Sequence, residues 1–196
     1  MGSMQISSTR ILELIEILSI FSKDCADSIE SAAALISKTF LAGGKVLICG
    51  NGGSAADSQH FAAEFVSTFS KDIIRQGLPA IALTVDTSFI TAYSNDFKFA
   101  GIFSRQVEAL GRPGDILIAL TTSGSSDNCL QAVYKAKEKG LSTIAFTRTS
   151  GAITSEADIS IEVPSTNTQH IQECHMVAYH VITELVEESL FGGALE

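Results

Sequence analysis

One segment of the sequence concentrates hydroxyl groups where they could bind an anion. Residues Thr121–Ser126 (TTSGSS) follow the apolar stretch Asp115–Leu120 and precede the helix-like stretch Asp127–Lys139. Hydroxyls donate to phosphate oxygens, and the first N–H groups of a helix add free donors and a partial positive charge. The segment therefore predicts a phosphate-binding loop, with an ordinary capped turn as the alternative.

A glycine-rich segment, Gly50–Ser54 (GNGGS), occupies the same place after another apolar stretch, Lys45–Cys49. It loosely matches the G-x-G-x-x-G/A fingerprint of dinucleotide-binding loops. The acidic residue that such sites place about 20 residues further on is missing, because Asp86 lies too far along the chain. The lysine motif of P-loops is absent as well. Glycines that let a polyol approach the backbone explain the segment equally well, so we expect no nucleotide cofactor.

His60 and Glu64 could perform acid–base chemistry or hold a metal. They are spaced i, i+4 within the helix-like stretch Ala55–Phe69, so their side chains lie on one face. An imidazole and a carboxylate at this spacing can share a metal or place a base beside a ligand. A surface or structural hydrogen bond is the plain alternative.

A second set of such groups lies on the C-terminal helix-like stretch, Gln169–Leu190. There, Gln172, Met176 and His180 follow an i, i+4, i+8 stripe. His180 precedes an apolar pair and could be partly buried. A core histidine with a satisfied hydrogen bond is therefore the alternative to a site residue.

Strands and helices alternate along the chain to position these groups. The predicted strands are Lys45–Cys49, Ala80–Val85, Asp115–Leu120, Leu141–Thr147 and Ile159–Val163. The predicted helices occupy Ser7–Phe40 (as two helices), Ala55–Phe69, Phe103–Leu110, Asp127–Lys139 and Gln169–Leu190, with a helix cap at Asp86–Ser88. Near-continuous apolar strands between helices predict an α/β fold, a three-layer αβα sandwich with a central parallel sheet. Both candidate loops would lie at the carboxyl ends of strands, where open α/β sheets bind ligands.

We expect one domain over residues 4–190, since no linker or low-complexity segment interrupts it. Residues 4–44 would form extra N-terminal helices, which could clasp a partner subunit. Residues 1–3 are interpreted as an expression scar and residues 191–196 as a short loose tail.

The composition limits the partners of the chain. Its 196 residues are 45% hydrophobic and carry a formal net charge of −9. This acidity argues against a nucleic-acid or anionic-membrane surface, although a local nest of N–H groups can still hold phosphate. No apolar run reaches the ~18 residues of a membrane span. The four cysteines form no C-x-x-C pair, and free thiols are typical of a reducing cytosol, so we expect a cytoplasmic protein.

The sequence from about Lys45 to Leu190 resembles bacterial phosphoheptose isomerases. The segments that carry the resemblance are Cys49–Phe65, Thr84–Phe97, Phe103–Gly111, Thr121–Ser126 and Val163–His175. The resemblance implies the SIS (sugar isomerase) fold, which is flavodoxin-like. It also implies an aldose–ketose isomerase that converts sedoheptulose 7-phosphate to D-glycero-D-manno-heptose 7-phosphate, an ADP-heptose precursor for lipopolysaccharide or capsule. Members are homotetramers with active sites at subunit interfaces.

Motif positions in the family transfer roles to residues of this chain. Glu64 matches the base and His180 the acid of an enediol mechanism, which needs both groups and stabilisation of developing negative charge. The implied ligands of one zinc ion per subunit are His60, Glu64, Gln172 and His180. The implied contacts to the sugar are Asn51, Gly52, Gly53, Ser54, Glu64, Asn95, Asp96 and Gln172. The implied phosphate loop consists of Thr121, Thr122, Ser123 and Ser126.

The sequence departs from the family pattern near the implied pocket. Thr121 replaces a serine, while Thr68 and His170 stand where the family usually has arginines. The segment Arg148–Gly151 replaces a G-K-D-G-G-like turn. His170 or Arg148 could compensate for the missing positive charge.

Three other functions compete with the isomerase. One group of SIS relatives is non-catalytic and binds the replication initiator as a tetramer, but it lacks the acidic residue and the histidine that this chain has at Glu64 and His180. SIS sensor domains that bind a sugar phosphate are usually fused to an output module, for which this chain has no room. A nicotinamide dehydrogenase is the third, and its fingerprint is the weak glycine match described above.

Overall fold

Five apolar segments pair as one parallel sheet in a computed structural model, which describes residues 3–192. They are β1 (Val46–Gly50), β2 (Ala80–Ala82), β3 (Ile116–Leu120), β4 (Ser142–Arg148) and β5 (Ile159–Val163). The order across the sheet is β2-β1-β3-β4-β5, which is the flavodoxin-like order of doubly wound folds. The register pairs Ile48 of β1 with Ile118 of β3 and Ala82 of β2. β1 and β3 are buried at every position, as central strands covered on both faces should be.

Seven α-helices flank this sheet within the described residues. They are α1 (Ser3–Asp24), α2 (Ala26–Leu41), α3 (Gly53–Val66), α4 (Thr87–Asp96), α5 (Ile102–Leu110), α6 (Asp127–Glu138) and α7 (Thr168–Phe191). Alternate residues of β1 point to opposite faces. Val46 and Ile48 pack in a core with α1, α2, α3 and α7, while Leu47 and Cys49 pack in a core with α5 and α6. The predicted three-layer sandwich with extra N-terminal helices is therefore confirmed.

Helix α1 buries only part of its apolar surface. Leu14, Ile17 and Leu18 pack against the core, and Phe21 is fully buried. The opposite side leaves large apolar side chains in solvent, namely Ile11, Leu12, Ile15 and Ile20. Among the described residues, no helix combines the length and apolar character needed to cross a membrane.

β2 and α3 each end three residues earlier than predicted, whereas the last residues of the other predicted strands and helices differ by at most one position. β2 stops at Ala82 rather than Val85. The Leu83 N–H still donates to the Ile48 carbonyl at 2.8 Å. The Thr84 hydroxyl then donates to the Ala55 carbonyl at 3.2 Å and accepts from Gln59 at 3.3 Å, which holds this residue against α3.

Helix α3 was predicted over Ala55–Phe69, whereas it covers Gly53–Val66. The last two glycine-loop residues thus form its first turn. Beyond Val66, the Phe69 N–H donates to the Glu187 carboxylate at 2.9 Å, so it is unavailable for a helical bond. The predicted scar and tail fall largely outside the described residues: Ser3 begins α1, Phe191 ends α7, and residues 1–2 and 193–196 are not described.

Candidate active site

The two candidate loops lie side by side at the carboxyl edge of the sheet, because β1 and β3 are parallel neighbours. Asn51, just after β1, and Asn128, in the first turn of α6, exchange two amide hydrogen bonds of 2.8 Å each. The helix after β1 packs on one face of the sheet and the helix after β3 on the other. Such a topological switch point is where doubly wound sheets bind ligands.

The loop Thr121–Ser126 gathers three hydroxyl groups. Thr121 Oγ1 lies 3.2 Å from Ser123 Oγ and 3.0 Å from Ser126 Oγ, and the two serine oxygens are 3.4 Å apart. Ser126 immediately precedes α6, yet its hydroxyl does not cap that helix. Within residues 3–192, the N–H groups of Asp127 and Asn128 have no acceptor. The loop therefore offers hydroxyls and helix N–H groups together, which suits an anion better than a capped turn does.

A second cluster joins α3 to α7. His60 Nε2 lies 3.3 Å from Glu64 Oε1 and 3.2 Å from His180 Nε2. One potential ligand atom from each residue lies within 4.8 Å of the others. Two histidines and one carboxylate with an open position form a common set of ligands in catalytic zinc sites. The three residues could therefore hold a metal ion, and their ligand types and spacing fit zinc.

Gln172 connects α7 to the glycine loop. Its Nε2 donates to Asp57 Oδ2 at 2.8 Å, and its amide rests on Gly53, where a Cβ would meet Gln172 Oε1 at 2.4 Å. Gln172 and His180 line the same cavity on α7. Burial raises the pKa of Asp57, and the bond from Gln172 partly opposes that rise. Asp57 is a site residue that was not predicted, although the i, i+3, i+7 spacing of Asp57, His60 and Glu64 places it on the same helix face.

Known proteins resemble this chain over most of its length. Residues 11–148 match the SIS domain family, and a phosphoheptose isomerase of Roseiflexus sp. (strain RS-1) is 52% identical over 167 residues, which cover 85% of this chain and 84% of that protein. The chain belongs to the phosphoheptose isomerase family. Phosphoheptose isomerase structures from Neisseria gonorrhoeae and Francisella tularensis superpose with TM-scores of 0.90 and 0.92, each at 37% identity. They cover 95% and 96% of this chain and 100% of their own.

The remaining family positions are not all gathered in one place. Asn95 donates to the Asp96 carboxylate at 2.9 Å, at the exposed end of α4. Within residues 3–192, no hydrogen bond links either residue to the hydroxyl loop or to the histidine cluster. Ser54 is buried in the first turn of α3, and Gly52 precedes that helix with a φ of +57°. Thr122 is half-buried in the hydroxyl loop.

Tyr179 forms a wall of the histidine cluster, although the sequence predicts no site role for it. Its ring stacks on Phe61 at 5.0 Å and meets His180 edge-on at 4.8 Å. Burial raises the pKa of Tyr179 far above its usual range, with smaller contributions from Asp57 and Glu64, so the hydroxyl stays protonated. Burial, followed by the neighbouring His60, lowers the pKa of His180. His180 is therefore neutral near pH 7.

The residues that depart from the family pattern make contacts of their own. His170 is buried and contacts the Arg10 side chain of α1. Arg148 ends β4 with its Nε buried and, among the described residues, without a hydrogen-bond partner. The Thr68 hydroxyl donates to the Ser70 carbonyl at 2.7 Å. Of the two residues expected to compensate for the missing positive charge, His170 is engaged with Arg10, whereas Arg148 retains a buried donor without a partner in the described part of the chain.

His175 supports the end of β4 beneath the hydroxyl loop. It is fully buried, and its Nε2 lies 3.4 Å from the carbonyl oxygen of Thr147. Burial lowers the pKa of His175 from 6.5 to about 4. A lowered pKa means that the unfolded chain binds the proton more tightly than the folded chain does. The contribution of neutral His175 to the free energy of unfolding is therefore fully present above pH 6.5 and declines as the pH falls toward 4.

We expect the free energy of unfolding to decrease by about 2 kcal/mol more between pH 7 and pH 5 in the wild type than in His175→Gln. Glutamine can still donate to Thr147 but has no proton to gain. Urea titrations at the two pH values measure this difference. Equal pH dependence in both proteins would contradict the assignment of a buried, neutral His175.

Proposed function

We propose that the chain is a phosphoheptose isomerase that interconverts sedoheptulose 7-phosphate and D-glycero-D-manno-heptose 7-phosphate. The observation that carries the proposal is the proximity of Glu64 and His180, which lie on helices far apart in sequence. Their potential ligand atoms lie within 4.8 Å of each other and of one on His60. Family members named phosphoheptose isomerase at about half identity support the substrate. A base and an acid on one small site are what an aldose–ketose shift requires.

The proposed reaction moves a proton between C1 and C2 of the sugar. In the ketose-to-aldose direction, the Glu64 carboxylate takes a proton from C1, and the C1–C2 enediol forms as His180 donates a proton to the oxygen on C2. Glu64 then returns its proton to C2, while the C1 hydroxyl loses its proton to His180. The roles exchange in the reverse direction. A neutral imidazole can serve this exchange because the ring nitrogen that donates its proton to the oxygen on C2 then accepts the proton of the C1 hydroxyl.

The hydroxyl loop is proposed to bind the phosphate. Thr121, Ser123 and Ser126 present their oxygens within 3.4 Å of one another, beside the free N–H groups of α6. Asn51, Gly52, Gly53 and Ser54 would then face the sugar from the neighbouring loop. This local array of donors can hold a dianion in a chain whose net charge is −9.

Zinc is the proposed metal, held by His60, Glu64, Gln172 and His180. A bound zinc ion would act as a Lewis acid toward the sugar carbonyl or would organise the pocket. The amide of Gln172 now donates to Asp57, so its oxygen remains available as a ligand. Zinc binding is therefore compatible with the hydrogen bonds already present.

We further propose a cytoplasmic homotetramer that supplies heptose for lipopolysaccharide or capsule. The exposed apolar residues of α1 (Ile11, Leu12, Ile15 and Ile20) are the surface that a second copy would cover. Asn95 and Asp96, which stand apart in one protomer, would then complete the site of a neighbour. Residues 4–190 remain the proposed single domain.

An assay separates this function from its alternatives. Purified protein incubated with sedoheptulose 7-phosphate should form the aldose, which proton NMR distinguishes from the ketose. Sugar-phosphate binding without turnover would favour a sensor. Binding to the bacterial replication initiator without turnover would favour the non-catalytic relative, and a change in nicotinamide fluorescence would favour a dehydrogenase.

A further inference from the structure

A buried ion pair connects α7 to Arg75, which lies in the segment between α3 and β2. Helices α3 and α7 carry the histidine cluster. The Glu187 carboxylate of α7 is 1% exposed and accepts from Arg75 Nε at 2.6 Å. It also accepts from the N–H groups of Phe69 and Ser70 at 2.9 and 3.0 Å. Although burial alone would raise the pKa of Glu187, these donors hold it below its usual range. The carboxylate therefore stays ionised inside the protein.

Arg75 extends this contact to the main chain of the proposed base. Its side chain is fully buried, and its Nη2 donates to the carbonyl oxygen of Glu64 at 2.7 Å. Its Nη1 donates to the carbonyls of Phe65 at 2.8 Å and Gln76 at 3.0 Å. The last carbonyls of a helix have no partner within it, so one guanidinium both ends α3 and connects it to α7.

We propose that Arg75 and Glu187 are positioning residues, which fix the separation of α3 and α7 and thereby hold Glu64 and His60 against His180. This inference rests on the proposed function for the roles of those three groups. The proposed acid, base and metal ligands all come from these two helices. The Gln172–Asp57 bond connects the helices near the first turns of α3, and the Arg75–Glu187 pair connects them at the last turn.

The energetics favour a role in geometry over one in stability alone. Burying two charges costs desolvation energy that the attraction between them often fails to recover. The planar guanidinium forms bonds in fixed directions, which a lysine could not reproduce. Replacing a residue that orients a metal ligand without touching the metal typically changes metal affinity or activity by 10- to 100-fold.

Asp115 provides a matched control at the opposite edge of the sheet. Like Glu187, it is a buried carboxylate that accepts two backbone N–H groups, from Lys45 and Arg112, both at 2.9 Å. It also pairs with a cation, Lys45 Nζ, at 2.5 Å. It immediately precedes β3, so it lies away from the carboxyl ends where the loops meet.

The experiment compares Glu187→Gln with Asp115→Asn. Both substitutions should lower Tm, but only Glu187→Gln should weaken Co²⁺ binding, by about tenfold or more. Visible absorption of the bound ion measures the Co²⁺ affinity. The kcat of Glu187→Gln should fall by a similar factor with little change in KM, because the hydroxyl loop lies on β3 and α6. Arg75→Lys should likewise lower Tm, Co²⁺ affinity and kcat. If Glu187→Gln does not fold, Arg75→Lys is measured in its place.

Imidazole NMR provides a readout that needs neither metal nor substrate. In metal-free Glu187→Gln, the ring resonances of His60 and His180 should shift, while those of His170 and His175 stay in place. The inference is overturned if Co²⁺ affinity, kcat and both ring resonances match those of Asp115→Asn. If the wild type shows no isomerisation, the proposed function fails, while the Co²⁺ and NMR measurements still decide whether the pair positions the cluster.

Discussion

Glu64→Gln is expected to lower kcat for sedoheptulose 7-phosphate by roughly 10²- to 10⁴-fold while leaving the fold intact. Glutamine keeps the size of the side chain, but its amide cannot take a proton from carbon. The Glu64 side chain is 18% exposed and its carboxylate pairs only with His60 among the described residues, at 3.3 Å. Its loss therefore leaves no buried charge unpaired. Steady-state kinetics and thermal unfolding followed by circular dichroism measure the two effects.

Glu184→Gln is the matched control, because Glu184 is an exposed carboxylate on α7, four residues after His180. It should retain the wild-type kcat. Since Glu64 is also a proposed zinc ligand, both variants should be assayed with and without saturating zinc. A rate for Glu64→Gln equal to that of the wild type would refute the role of Glu64 as base, and recovery of the rate by zinc would reduce that role to metal binding.

The sequence predicts the layers of the fold because the strands are buried on both faces. A stretch such as Ile116–Leu120 is apolar at every position, and all five of its residues are buried, so its length alone marks a strand of a covered parallel sheet. The end of α3 was predicted less well, because distant side chains bind the backbone there. Arg75 donates to the carbonyls of Glu64 and Phe65, and Glu187 accepts from the Phe69 N–H. No local pattern indicates these hydrogen bonds.

In the candidate site, too, local spacing was predicted from the sequence and contacts between distant segments were not. Helical periodicity predicts that His60 and Glu64 share a face, but their meeting with His180 joins residues 120 apart in sequence and was expected only from the family resemblance. The missed residues are mostly buried polar groups with distant partners. Arg75 lies 112 residues from Glu187, and Asp57 lies 115 residues from Gln172. A single buried polar residue in a sequence does not reveal its partner, because many exposed positions carry the same residue types.

Gly124→Ala is expected to raise KM for the sugar phosphate at least tenfold and to lower the free energy of unfolding by roughly 2–5 kcal/mol. Gly124 lies in the hydroxyl loop with a φ of +68°, which L residues adopt only under strain. A Cβ there would lie 2.4 Å from Gly151 Cα and 2.7 Å from Thr147 Oγ1. Because Thr147 and Gly151 are both buried, relief of this overlap is expected to displace the loop. Displacing one hydroxyl removes a hydrogen bond to a charged group, which contributes about 1.5–3 kcal/mol, or roughly 10- to 100-fold in affinity.

Gly43→Ala separates the backbone strain from the steric overlap. Gly43 has a φ of +79°, yet no atom lies within 4 Å of the position that its Cβ would take. It should lose only the strain energy, about 1–2 kcal/mol, and keep the wild-type KM. Urea unfolding and steady-state kinetics on both variants make the comparison. If Gly124→Ala retained the wild-type KM despite its lower stability, the hydroxyls of Thr121, Ser123 and Ser126 would not be the phosphate ligands, because the substitution disturbs the loop that holds all three.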